Sequence, residues 1–220
     1  MAGPEAERRY TTRPFPLRRR AVTAAMRAGR RLAPIHGILE IDVTDVRPRL
    51  RSAEPPLSMT AYVVATAARA AAMHPEVHAY RDWRGRLVMH RNVDVTTMIE
   101  VVTDQGPFPL AHVIHDADTR SVVDLSDEIR RVSTDPNSSA TGRALMLRAL
   151  PIARSPGGFA LMYRVMRHSI RVRQRVGTLS VTSVGMFAGG SGHGIGFPTL
   201  MSLGILVGGI SQKPLVVKGH

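Results

Sequence analysis

Apolar positions recur along the chain at two spacings, and the changes between them divide it into elements. From Leu17 to Leu32 the spacing is helical: Leu17, Val22, Met26 and Leu32 lie near one stripe with arginines around it, and Pro34 stops the run. Residues 35–46, IHGILEIDVTDV, alternate and predict a strand with Asp45 as a turn or cap. The stretch SMTAYVVATAARAAAMHP (58–75) predicts an alanine-rich helix that Ser58 or Thr60 caps and Pro75 ends. Four strands are predicted next, at 76–82, 86–91, 93–102 and 109–115, with a hairpin turn at Arg84-Gly85 and a loop at Asp104-Gln105-Gly106-Pro107. Val122, Leu125 and Ile129 give 119–132 an amphipathic helical face, and 133–142 reads as a loop. Residues 143–176 read as helical, broken at Pro156-Gly157-Gly158. TLSVTSV (178–184) predicts a strand, and 198–217 a turn followed by a long strand rich in small residues. Helices and strands alternating in patches predict an α/β layered domain with a mixed sheet.

Composition sharpens this in two ways. The absence of cysteine excludes disulfides, a thiol nucleophile and a thiolate metal site, and suits a reducing cytoplasm. No secretory signal or bilayer-spanning run is evident: the longest apolar run, Leu200–Val207, is interrupted by Ser202 and Gly204. Charge is distributed unevenly. After Asp135 there is no Asp or Glu but there are eight Arg and two Lys, so this stretch carries +10 of the net +13. Such a balance suits nucleic acid, an anionic membrane surface, an anionic substrate or an acidic partner chain. Aromatics at 5% and the lack of a nucleic-acid motif argue against the first, although Arg18–Arg20 invites it.

Several segments, in this order, carry a resemblance: RRRAVTAAM, HGILEIDVTDV, HPEVHAYRDW, LVMHRNVDVTTMIEV, PLAHVIHDAD, GTLSVTSVGMF and LGILVGGISQKPLVV. Over about residues 17–217 the chain resembles the catalytic domain of the dihydrolipoyl acyltransferases of 2-oxo-acid dehydrogenase complexes, which share the chloramphenicol acetyltransferase fold. The resemblance implies a two-layer α/β sandwich with a mixed sheet, C-terminally incomplete, preceded by a flexible arm at 1–16. It also implies a homotrimer with active sites between subunits, lipoyl-domain and dehydrogenase partners, and acyl transfer between coenzyme A and a dihydrolipoyl group on a partner.

Two departures stand out. The family's lipoyl and partner-binding domains do not precede this segment, so the chain is closest to the short stand-alone members; its 133–176 region is also longer and richer in Arg than the usual connector. The family's His-x-x-x-Asp-Gly signature, whose His takes the thiol proton, would follow KPLVV, where this sequence reads KGH. His78-x-x-x-Asp82 imitates the spacing without the Gly and lies in an early strand region. The resemblance places the oxyanion donor on Thr182, with Ser183 as its neighbour, and offers Arg164, Arg167 and Arg171 as a grip for coenzyme A phosphates. A stripe of Arg on a surface helix serves equally as a solvated face, a partner contact or a membrane-surface contact.

The remaining candidates are weaker. Gly185, Gly189, Gly190, Gly192 and Gly194 are followed by no Gly-Lys-Ser/Thr and read as a tight loop rather than a phosphate cradle. His193 in that loop is a conceivable substitute base and otherwise a solvated side chain. The nine histidines form no H-E-x-x-H pattern, so no metal is expected, and no G-x-S-x-G elbow occurs. The expectation is therefore an acyltransferase domain with an oxygen donor but without its general base. The alternatives are a non-catalytic assembly or CoA-binding subunit, and a basic nucleic-acid or membrane-binding module.

Overall fold

A computed structural model describes residues 12, 15–30, 32–103, 106–141, 155, 157–185, 192–196 and 200–214. The helices are α1 (Leu17–Gly29), α2 (Val46–Ser52), α3 (Met59–Met73), α4 (Val122–Thr134), α5 (Gly158–His168) and α6 (Ile170–Gln174). The strands are β1 (Tyr80–Arg81), β2 (Leu87–Val88), β3 (Val95–Thr103), β4 (Gly106–Ile114), β5 (Leu179–Ser183) and β6 (Gly204–Val207).

Local chemistry explains the two helices of the core. The Ser58 hydroxyl accepts from the Ala61 amide at the start of α3. A capping box between Ser121 and Asp124 starts α4, satisfying amides that have no partner inside the helix. Both helices cover one face of a four-stranded mixed sheet in the order β4-β3-β5-β6. β3 pairs antiparallel with β4, pairing Val95 with Ile114 and Thr97 with His112, and parallel with β5; β5 pairs parallel with β6. The fold is a two-layer α/β sandwich with a mixed sheet, of the kind expected.

The core lies between sheet and helices. Val64, Ala65 and Ala68 of α3 meet Val95, Ile114, Leu125, Leu179 and Val181, all essentially inaccessible to water. Alternation along a strand then fixes the faces. On β5, Leu179 and Val181 point to the helices, which sends Ser180 and Thr182 to the other face and Ser183 to the helical one.

Several expected elements are corrected. Residues 35–43 alternate but form no strand: Ile35, Leu39 and Ile41 are 99%, 83% and 77% exposed, and no backbone hydrogen bond pairs the segment with another among the described residues. Alternation favours an extended chain; a strand also needs a neighbouring backbone to pair with, and none pairs with it among the described residues. The strand expected at 76–82 begins with a 3-10 turn, Pro75–His78, because Pro75 sets a helical φ. Asp82 holds the next turn, its carboxylate accepting from the Arg84 and Arg86 amides, which leaves only Tyr80–Arg81 and Leu87–Val88 to pair. Gly85 sits there at φ +81, as a hairpin turn requires. Gly106 and Pro107 belong to β4 rather than to a loop, and the long strand expected at 198–217 is confined to Gly204–Val207 among the described residues. The arm at 1–16 and the helix expected at 143–154 lie largely or wholly outside the described residues.

Candidate functional site

Thr182 occupies the sheet face turned away from α3 and α4. It is half-buried, opposite Leu206 of β6, and its hydroxyl takes no hydrogen bond among the described residues. Thr96, Ser180 and Gly204 share that face. A free hydroxyl on a β-strand is a donor held by backbone geometry and ready for a developing negative charge. Ser183 pairs with Val207 on the opposite face and does not share that position.

Residues 192–196 lie over the Thr182 side of the sheet. A Cβ on Gly194 would meet the Leu206 side chain at 2.3 Å, one on Gly185 the Gly208 carbonyl at 2.6 Å, and one on Gly208 the Gly192 carbonyl at 2.5 Å. None of these three has a positive φ. At these positions glycine permits close backbone approach; Gly189 and Gly190, also read as turning the loop, lie outside the described residues. Replacing Gly208 with Ala is expected to destabilise the fold by about 1–3 kcal/mol in denaturant unfolding, since the obstructing atom is backbone.

His193, in this loop, is exposed, with Nε2 3.4 Å from a Glu40 carboxylate oxygen that also accepts from the Lys213 ammonium. His78 and Asp82 form no site together. The His78 ring is 1% exposed, its Nδ1 without a hydrogen bond, while Asp82 is committed to the hairpin and to the Arg86 guanidinium at 2.8 Å. Arg164, Arg167 and Arg171 are all exposed on α5 and α6, and among the described residues no hydrogen bond, ion pair or ring contact joins them to Thr182 or Ser183.

Two clusters emerge that the sequence did not announce. Arg173 reaches back from α6, its guanidinium 3.4 Å from the Tyr80 ring centre and donating to the Leu200 carbonyl. His90 stacks beside Tyr80 and His78, 5.7 Å from each, and burial holds both histidines below the ordinary imidazole range. Arg173 thus ties β1, α6 and the approach to β6 together.

The second cluster lies between sheet and α4. His112 Nδ1 meets the Ser139 hydroxyl at 2.9 Å, and Nε2 meets a Glu128 oxygen at 2.7 Å; the other Glu128 oxygen accepts from Arg120. Burial pushes the Glu128 carboxyl up, but hydrogen bonds and charge from His112 and Arg120 outweigh it and hold it at about 2. Serine, imidazole and carboxylate in a row imitate a hydrolase. Ser139 is fully buried, however, so no substrate reaches its hydroxyl. The row fastens the 3-10 turn Pro136–Ser138 and α4 onto β4.

Among the described residues no group of three His, Cys, Asp or Glu could hold a metal ion, and no helix is long and apolar enough to cross a membrane.

A family model described as 2-oxoacid dehydrogenases acyltransferase (catalytic domain) matches residues 7–144. No curated protein sequence matches the chain. Among solved structures, a probable dihydrolipoamide acetyltransferase from Listeria monocytogenes is similar at 16% identity and TM-score 0.64, over 96% of this chain and 80% of that one. A dihydrolipoamide acetyltransferase from Azotobacter vinelandii is similar at 14% identity and TM-score 0.63, over 100% and 81%. The cubic core of a pyruvate dehydrogenase multienzyme complex is similar at 14% identity and TM-score 0.66, over 100% and 81%. At these identities the likeness is one of fold.

Proposed function

The chain belongs to the 2-oxoacid dehydrogenase acyltransferase (catalytic domain) family, and from that premise we propose that it is a scaffold for acyl exchange between coenzyme A and a dihydrolipoyl group on a partner. The observation that supports this most directly is Thr182: a half-buried hydroxyl, fixed by β5 on the sheet face opposite the helices and without a hydrogen bond among the described residues. A thiolate adds to the thioester carbonyl, the carbonyl oxygen becomes an oxyanion, and the Thr182 Oγ–H donates to it. The intermediate then collapses and expels the other thiolate. A donor placed this way lowers the barrier by roughly 3–4 kcal/mol.

The same reading assigns Arg164, Arg167 and Arg171 to the coenzyme A phosphates; Arg164 and Arg167 are neighbours on α5, and Arg171 follows on α6. It takes residues 17–220 as one domain, three copies as the working assembly and the cytoplasm as the compartment. The trimer predicts a solution mass three times that of the chain, checked by light scattering.

These 220 residues contain no His-x-x-x-Asp-Gly, and His193 faces Glu40 from an exposed loop. A thiol of pKa about 8.5 is mostly protonated at neutral pH, and losing a general base costs a factor on the order of a hundred. This chain by itself is therefore expected to turn over acetyl-CoA and dihydrolipoamide near the uncatalysed rate at pH 7. The residual rate should climb about tenfold per pH unit until the thiol ionises. Rapid turnover with a flat pH profile would show that another group accepts the proton.

A further inference from the structure

We propose that the outer face of α5 and the tip of the β1–β2 hairpin form a docking surface for an acidic protein segment that also carries apolar side chains. The proposal rests on no step of acyl exchange, although it shares Arg164 with the coenzyme A reading. Leu161, Arg164, Val165 and His168 recur at helical spacing and are all exposed, Leu161 at 63% and Val165 at 44%. The stripe continues into the hairpin, where the His168 ring lies 5.9 Å from Trp83. Trp83 is 59% exposed, with the Arg84 guanidinium 4.7 Å from its ring centre.

Two properties define the partner. No carboxylate pairs with Arg84 or Arg164 among the described residues, and the sequence supplies none after Asp135, so the complementary charge must come from outside this part of the chain. The exposed Trp, Leu and Val form separate anchors between the cations, a mixture typical of protein interfaces, where aromatic and Arg side chains carry most of the binding energy.

The same features weigh against the other polyanions. A helix lying on lipid needs a broad apolar face, and α5 spends its own inward: Phe159 and Met166 are buried, and the helix packs on α1. Single-stranded nucleic acid needs successive open rings, whereas Trp83 is a single indole with a guanidinium over its ring.

Trp83 is the only tryptophan in the sequence, so its fluorescence reports the surface directly. The full chain is titrated with a short synthetic amphipathic helix bearing Glu and Leu. Expected are a blue shift, protection from a soluble quencher, and an affinity that falls about tenfold in Arg164→Glu and in Leu161→Ser but not in Arg49→Glu, which makes the same charge change on α2. Circular dichroism checks that each variant is folded. Peptide binding that leaves Trp83 emission unchanged, or that Arg49→Glu weakens equally, overturns the proposal. So does a shift produced by phosphatidylglycerol vesicles or oligo-dT but not by the peptide, or a Trp83 signal that tracks only the chain's own concentration.

Discussion

With an acceptor thiol already ionised at pH 7, Thr182→Ala lowers the thioester exchange supported by this scaffold by about two to three orders of magnitude, and Thr182→Ser retains most of it. The prediction rests on placement. Val181 on one side of β5 is sealed against α3, and alternation puts the next side chain on the face opposite the helices. There the hydroxyl meets no protein partner among the described residues, so it keeps its full capacity for an oxyanion. Deleting such a donor costs roughly 3–4 kcal/mol in the transition state and little in the ground state, so kcat should fall and KM change little. Serine keeps the Oγ–H at the same χ1 position, whereas valine keeps the shape without the donor. Thr182→Val should therefore behave like Thr182→Ala. Ser183→Ala, which alters a side chain on the helical face, should leave the rate near its starting value.

Glu128 is expected to dominate the acid sensitivity of the fold. Held at about 2 instead of an ordinary 4.5, its carboxylate contributes about 3 kcal/mol of stability at neutral pH. The sign follows from the direction. The folded state binds the proton more weakly than the unfolded chain, so the contribution is complete above about pH 4.5 and is lost as pH falls towards about 2. Glu128→Gln should cost about 3 kcal/mol in urea unfolding at pH 7, because the buried His112 and the Arg120 guanidinium lose their anion. Its stability should also change less than that of the native chain between pH 5 and pH 2. A variant as stable as the native chain at pH 7 would show that the row of Ser139, His112 and Glu128 does not hold α4 to the sheet.

What the sequence made legible was what short-range chemistry decides. Ser58 and Pro75 bracket α3 because capping and ring closure act over three or four residues. The alternation read as strands at 93–102 and 109–115 marks most of β3 and β4 because each needs only a buried side and a nearby partner. The 35–43 segment shows the limit: its pattern is as regular as that of β3, but its pairing depends on a backbone that local sequence does not name. The same distance in sequence hid the side-chain clusters. His112 is 16 residues from Glu128 and 27 from Ser139, and Arg173 meets Tyr80 from far along the chain. Thr182 was found through the family resemblance; periodicity supplied only its face. The exposed stripe on α5 was visible as an Arg pattern, but Trp83 joins it only through the fold.

One measurement isolates the oxygen donor from the missing proton acceptor. Acetyl transfer from acetyl-CoA is followed to an aromatic thiol already ionised at pH 7, so that no base is needed, in the native chain and in Thr182→Ala. The native chain is predicted to accelerate this exchange above the protein-free rate, while dihydrolipoamide under the same conditions stays near background. Thr182→Ala should remove the acceleration, and Thr182→Ser should restore it. Acceleration that survives intact in Thr182→Ala would contradict an exchange scaffold built around this hydroxyl.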